Sequence, residues 1–320
     1  MKTYFLAAIA ALTCLASVAQ GETWPSKPVR VIVPITAGSA IDIVARATAQ
    51  QLSKALGQPF VVENRPGAGT TIGAAAVASA APDGYTVLFA STALTTTPTT
   101  VANIPYNVDR DLVAVAPITN TPLVLVTTHG KYKTLSDLVA AAKANNGSMN
   151  YATNGYGSAS HFTTERLRLA AGFDAQPVTF RGTPEAITEV MTDRIGFYFS
   201  PMTAARSLVN EQRIDALAVT SRKRSLALPD VPTTTEAGYQ NSDFDFWVGL
   251  FAPAKTPPEI VERLYRETRN IAESLEFRKQ MATIGGEPLD SMTQTEFAAY
   301  VKAEVERNAK IAKAAGLKPQ

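Results

Sequence analysis

Cysteine is nearly absent from this chain. Among 320 residues there is one, Cys14, and only two histidines, His129 and His161. A lone Cys excludes an intrachain disulfide, and two distant histidines do not make a zinc-type ligand set. Neither a metal nor a cofactor is expected. A dominant charge is lacking too: 30 Lys+Arg face 28 Asp+Glu, a net of +2. The densest basic cluster, SRKRS at 221–225, is short and carries no interleaved aromatics, which argues against a nucleic-acid partner. Beyond the first twenty residues no apolar run reaches the ~18 residues that a membrane span needs. What remains is 46% hydrophobic and 18% charged, the composition of a globular chain. Its length suits one large unit or two ordinary ones.

The first twenty residues differ in kind. Lys2 precedes the apolar run YFLAAIAALTCLASVA, and Ser17-Val18-Ala19 supplies the small residues that signal peptidase accepts. Residues 1–19 therefore read as a signal peptide cut after Ala19, which makes the chain an exported, periplasmic protein. Cys14 lies inside this leader. Ala11 and Thr13 flank it where a lipoprotein signal would carry Leu and a small residue, so lipid anchoring is not expected. The mature chain then has no thiol.

Hydrophobic periodicity gives the organisation. VRVIVPI (29–35) is a β-branched run of the kind buried on both faces of a parallel sheet. AIDIVARATAQQLSKALG (40–57) has helical spacing and ends on glycine. FVVEN, the helical GAAAVASAAP and the strand-like YTVLFAS complete a β-α-β-α-β order. The order returns from residue 123: strand LVLVTTH, helix TLSDLVAAAKAN, strand MNYATN, helix ASHFTTERLRLAAG, strand QPVTF, helix TPEAITEVMTDR, then strands IGFYFSP and IDALAVTS. Two long helical stretches follow, 257–283 and 293–315. The Thr-rich stretch STALTTTPTT (91–100) reads as a loop. The fold class is α/β in two lobes, each a mostly parallel sheet flanked by helices. Lobe 1 is taken as 23–122 plus 244–320 and lobe 2 as 123–243.

The tripeptide Gly-Ser-Ala occurs at 38–40 and again at 157–159, each time after a strand and before a helix. A helix start leaves backbone N–H groups unpaired and carries partial positive charge, and a preceding glycine lets an anion approach. Ser39 can cap the first helix, with Asp42 at its third position as a capping-box variant. Ser158 or Ser160 can cap the second. The inference is that both helix starts face a cleft between the lobes, each holding one carboxylate end of a small ligand with neutral donors. Taken singly, each copy also fits a plain helix cap. Ser91 and Thr92 end the strand YTVLFA, where open α/β sheets place ligands. Arg181-Gly182 follows PVTF and fits either an anion contact or a surface salt bridge. Tyr198 alternates with Phe197 and Phe199, and any one of the three could line a cleft. Gly67-Ala68-Gly69 with Gly73 has the wrong spacing for a dinucleotide loop and reads as a turn. Ser158 and His161 sit one helical turn apart, the one arrangement that would suit a hydrolase, but the loop lacks the second glycine of a nucleophile elbow.

Longer stretches carry a family likeness. WPSKPVRVIVP, AGSAIDIVAR, VVENRPGAGTTIGAAAVASAAPDGYTVLFAS, YATNGYGSASHFTTERL, LAVTSRKRSLALPDVPTTTEAGY and WVGLFAPAKTPPEIVERL together resemble the Bug-type family. These are extracytoplasmic solute-binding proteins of tripartite tricarboxylate transporters. The resemblance implies a Venus-flytrap (type II periplasmic-binding-protein) fold, a small organic carboxylate as ligand, permease subunits as partners and no enzymatic activity. It places the ligand on Ile35, Thr36, Ala37, Gly38, Ser39, Ala40 and Ile41 of one loop, and on Asn154, Tyr156, Gly157, Ser158, Ala159, Ser160 and His161 of the other. Arg181 stands where the family usually has a lysine. The first loop departs from the family's Pro-Gly-Gly: serine at 39 would be strained if that position needed positive φ. A monomer is expected. A sensory protein presenting its ligand to a membrane kinase would use the same fold.

Overall fold

The computed structural model describes residues 24–287 and 292–319. The leader 1–19, with Cys14 and the cleavage point after Ala19, lies outside them.

Two five-stranded sheets carry the chain, and they share one plan. The first contains β1 (Val29–Val33), β2 (Phe60–Asn64), β3 (Thr86–Ser91), β4 (Leu112–Asn120) and β10 (Trp247–Pro253), in the order β2-β1-β3-β10-β4. The second contains β5 (Leu123–Thr128), β6 (Asn150–Thr153), β7 (Gln176–Thr179), β8 (Phe197–Pro201) and β9 (Ile214–Val219), in the order β7-β6-β8-β5-β9. In the first sheet β1 runs parallel to β2 and β3, and β10 runs antiparallel to β3 and β4. In the second, β6 runs parallel to β7 and β8, and β5 runs antiparallel to β8 and β9. Each sheet is thus mostly parallel with one reversed strand, in agreement with the α/β reading.

The reversed strands β10 and β5 are those that enter each sheet from the other. Short segments join the sheets at Asn120–Leu123 and again through Phe244–Trp247. There Thr121 N–H donates to the Phe246 carbonyl and Phe244 N–H to the Thr220 carbonyl.

Helices cover both faces of each sheet. On the first they are α1 (Ala40–Leu56), α2 (Thr71–Ala78), α3 (Ala93–Thr100), the single turn α4 (Val108–Asp111), α9 (Pro258–Glu273), α10 (Leu275–Thr283) and α11 (Gln294–Ala314). On the second they are α5 (Leu135–Ala144), α6 (Ala159–Ala171), α7 (Thr183–Met191) and α8 (Met202–Asn210). One face of the first sheet packs Val31 and Phe89 against Val44 and Leu52 of α1 and Leu264 of α9. The other packs Leu88 and Trp247 against Val77 of α2, Leu94 of α3 and Phe297 of α11.

Several elements differ from the sequence expectation. Residues 93–100 form helix α3, not a loop. Threonine and Pro98 are weak helix formers, but Leu94, Thr95, Thr96 and Thr97 are buried, and burial overrides propensity. Threonine hydroxyls bond back to carbonyls, Thr95 to Thr92 and Thr99 to Thr96. The stretch 257–283 is two helices, broken where Ser274 takes an extended conformation and caps α10. Strand β4 and helix α8 had no counterpart in the reading.

Helix α11 touches both cores. Phe297 and Val301 near its start pack on the first sheet, while Ile311 and Ala312 near its end pack on the second with Phe162 and Phe244. Twenty-one residues give it a length of about 30 Å. Phe297 is fully buried, and its ring stands edge-on to Trp247 at 5.8 Å between centroids. It also fills the space over Gly249, where a Cβ would come within 2.6 Å of the Phe297 ring. Phe297→Ala should therefore leave a cavity against the reversed strand β10 and cost about 3–5 kcal/mol. Equilibrium urea unfolding measures this, and a loss under about 1 kcal/mol would show that the site collapses freely.

Candidate functional site

The two Gly-Ser-Ala segments have the same backbone and the same hydrogen bonds. Gly38 has φ 80° and Gly157 φ 75°. Ser39 follows at φ −70°, ψ 161° and Ser158 at φ −66°, ψ 164°. The expected strain at Ser39 is absent, because the positive φ falls on Gly38 and the serine is extended. Each serine is the N-cap: Ser39 Oγ accepts from Asp42 N–H at 3.2 Å, and Ser158 Oγ from His161 N–H at 3.3 Å.

The third helical residue then reaches back. Gly38 N–H donates to Asp42 Oδ2 at 2.9 Å, and Gly157 N–H to His161 Nδ1 at 3.0 Å. The two glycine N–H groups are therefore consumed inside the loops. The N–H groups of the first two helical residues, 40–41 and 159–160, are the ones helix geometry leaves without intrahelical acceptors.

The inner acceptors differ in charge. Asp42 is 2% exposed. Burial alone would raise its carboxyl, but hydrogen bonds from Arg46, from Gly38 N–H and from Asn64 outweigh it and hold the group below the usual carboxylate range. Arg46 Nε lies 2.9 Å from Asp42 Oδ2, and Asn64 Nδ2 lies 2.8 Å from Oδ1. Asn64 also donates to the Ile35 carbonyl at 3.0 Å, tying the loop to β2. The first loop is thus internally neutralised.

His161 is 3% exposed, and burial lowers its pKa from the ordinary 6.5, assisted by Arg168 and opposed by Glu165. As an acceptor at Nδ1 it is the neutral ring. It lies between Tyr151, ring centroids 6.3 Å apart, and Tyr156 at 5.3 Å. Ser158 Oγ faces Thr153 and Ser160 hydroxyls at 3.0 Å each. Since His161 Nδ1 is taken by Gly157, these two residues form a cap and not a nucleophile–base pair.

The candidate residues fall into two groups. Thr36, Ala37, Gly38, Asn154, Tyr156 and Arg181 are exposed, and Ser39, Gly157, Ser158, Ala159 and Gly182 are half-buried. They follow β1, β6 and β7, at the carboxyl ends of parallel strands. Ile41 instead points into the first core, and the Ser160 and His161 side chains face inward. Ser91 and Thr92 are buried at the start of α3, where Ser91 Oγ accepts from Ala93 N–H at 3.4 Å and Thr92 N–H donates to the Trp247 carbonyl at 3.2 Å. Arg181 N–H donates to Glu185 at 3.2 Å.

Two features escaped the sequence reading. Tyr198, Asn154 and Thr183 form a neutral cluster: Tyr198 O–H donates to Asn154 Oδ1 at 3.0 Å, and its oxygen lies 3.2 Å from Thr183 Oγ1. The end of α3 meets the second loop directly, for a Cβ on Gly157 would lie 2.6 Å from Thr100 Cγ2. The common spacing Gly-Ser-Ala-x-(Asp/His) was a readable signal for the inner acceptors. The Thr100 contact joins residues too far apart in sequence to be read.

Two α/β units with matched helix starts, brought into contact through Gly157 and Thr100, make the architecture of a two-lobed solute-binding protein. The chain belongs to the family described as "Tripartite tricarboxylate transporter family receptor" (TctC), which residues 44–317 match. It is similar to Protein BugT of Bordetella pertussis, 33% identical over 99% of this chain and 98% of that protein. An R. palustris protein solved with adipate is 30% identical, with a TM-score of 0.75 over 93% of this chain and all of that one. MatC from Rhodopseudomonas palustris, solved with malate, is 28% identical, with a TM-score of 0.71 over 90% and 99%. The protein is accordingly a binding protein and not an enzyme.

The His161 contact gives a pH prediction. A base whose folded pKa is lowered costs nothing at high pH. Below its unfolded value of 6.5 the unfolded chain takes up a proton that the folded ring refuses, so stability falls. Protonated Nδ1 would also face the Gly157 N–H donor to donor. The melting temperature should therefore drop more steeply between about pH 7 and pH 5 than in His161→Asn, whose Oδ1 can replace Nδ1 as acceptor. Parallel slopes for the two proteins would remove His161 from this role.

Proposed function

We propose that this protein captures a small organic dicarboxylate between two lobes, 23–122 plus 244–320 and 123–243, and delivers it to the membrane subunits of a tripartite transporter. The observation that carries the reading is the duplicated helix start. Two capped, glycine-led N-termini, one in each unit, give two separate places for carboxylate oxygens, and a dicarboxylate has two such ends. Adipate in one similar protein and malate in another support this ligand class. The signal-peptide pattern at 1–19, cut after Ala19, supports a periplasmic location. Among the described residues no helix is long and apolar enough to cross a membrane.

The neutrality of the loops suits capture followed by release. Asp42 is offset by Arg46, and His161 is uncharged, so ligand charge meets dipoles and N–H donors rather than a buried counter-ion. Closure follows as a population shift, because only a closed form brings both helix starts to one ligand.

A thermal-shift panel tests the reading. Succinate, malate and adipate are compared with monocarboxylates, neutral sugars and divalent cations. A true ligand at a hundred times its Kd adds about 2.7 kcal/mol to stability. If sugars or cations raise the melting temperature and no carboxylate does, the reading is wrong. Gly157→Val sharpens the test. It forces a side chain into the left-handed region and onto Thr100. Dicarboxylate binding should be lost while far-UV circular dichroism stays native; unchanged affinity would take this loop out of the site.

A further inference from the structure

A deeply buried charge lies outside both loops. Arg166, on the helix that the second loop starts, is 2% exposed. Its guanidinium donates to Glu304 Oε2, Asn308 Oδ1 and the Asp243 carbonyl, each at 2.7 Å, and lies 4.7 Å from the centre of the Phe244 ring. Glu304 and Asn308 belong to α11 and are themselves buried, at 4% and 0%. Asn308 Nδ2 then donates to Thr95 Oγ1 at 3.1 Å, and the Thr95 hydroxyl donates to the Thr92 carbonyl at 2.9 Å. A buried polar chain therefore runs from α6, through the middle of α11, to the start of α3. Both of its ends belong to the candidate site: α6 begins at Ser158, and α3 begins beside Ser91 and Thr92. A parallel tie lies alongside, where Arg307 of α11 holds the Asp243 carboxylate at 2.8 Å.

A core serving stability alone has no need of this arrangement. Apolar residues of similar volume usually replace a buried ion pair without loss, and often with a gain. What such a pair supplies is direction: a planar fork held at three acceptors through its two terminal nitrogens admits few orientations of the two helices.

We propose that Arg166 is a positioning residue for ligand capture, holding the second lobe's helix start at a set angle to α11 and, through Asn308 and Thr95, to the first lobe's site helix. This rests on the reading that ligand is bound between the lobes.

The test uses the double variant Arg166→Met/Glu304→Leu, which deletes both charges and leaves neither unpaired. Thr95→Val is the second variant, cutting the chain at its far end by an isosteric change. Spin labels on Lys54→Cys and Thr188→Cys, exposed positions on α1 and α7, report the inter-lobe distance. Carboxylate affinity is measured beside it by calorimetry. The wild type should show a narrow distance distribution, and both variants a broader one with native-like melting. If about a tenth of the molecules then keep the competent angle, affinity falls about tenfold. An unchanged distribution in the double variant overturns the proposal whether or not a ligand is known. So does a broadened distribution with unchanged affinity. If the wild type binds no carboxylate, the functional reading fails by itself, and the distance measurement alone decides whether Arg166 sets the angle.

Discussion

The hydrogen bond from a glycine N–H to a side chain four residues on is the small constraint on which the site depends. It occurs twice, Gly38 to Asp42 and Gly157 to His161. In each case it closes the turn between strand and helix and holds the glycine at positive φ. The cap serine is then extended, and the first two helical N–H groups are left at the end of the axis. Without this bond the glycine would be free to adopt other conformations, and the dipole of the helix would have no fixed target. The duplicated sheet order gives the bond its meaning. The same strand position, β1 in one sheet and β6 in the other, delivers the same turn.

Asp and His fill the same structural role with different charge. The carboxylate brings Arg46 and Asn64 with it, a compensation that reaches from α1 to β2. The imidazole needs none, being neutral when it accepts at Nδ1. A ligand bound as proposed would therefore meet two helix starts of similar shape, one stiffened by an ion pair and the other by ring packing among Tyr151 and Tyr156. The stiffening of the second depends on pH; that of the first depends on salt only weakly, because Asp42 is buried while Arg46 is half exposed.

Much of this was legible in sequence where the forces are local. The β-branched run 29–35, the helical spacing of 40–57 and the serine caps are short-range features: the strand covers 29–33, the helix 40–56, Ser39 caps the first helix, and of Ser158 and Ser160 it is Ser158 that caps the second. Legibility fails where a distant partner decides. The threonines of α3 look like loop until buried against the short turn at 68–70, where Thr97 Oγ1 donates to the Gly69 carbonyl at 2.6 Å. Strand β4 carries Pro117 and a register shift against β10, which blurs its alternation. For the site, the serines and glycines could be read, while Asn64, Thr183 and Thr100 owe their places to tertiary packing. Each glycine N–H is satisfied by a side chain four residues on, a bond that the Gly-Ser-Ala pattern alone does not reveal.

Helix α11 shows how a two-core protein can keep its parts in register. A hinge built only from the crossings near Asn120 and Phe244 would leave the second sheet free to twist. An amphipathic helix packed on both cores resists that twist through apolar contact at its ends, but apolar contact is tolerant of sliding. The buried fork of Arg166 at its middle is not, since a shift of an ångström leaves a charge without its partners. Asp245 sits at the same junction, accepting from Asn120 at 3.0 Å, with burial first and the neighbouring Asp243 and Glu304 charges pushing its pKa up to about 6 against the pull of Arg222 and Arg166. Ionising it there costs more than in water, so the stability it gives the junction falls as pH rises from the free value of 3.8 through about 6. A junction balanced in this way can be firm about direction while remaining soft enough to bend, as the proposed capture and release would require.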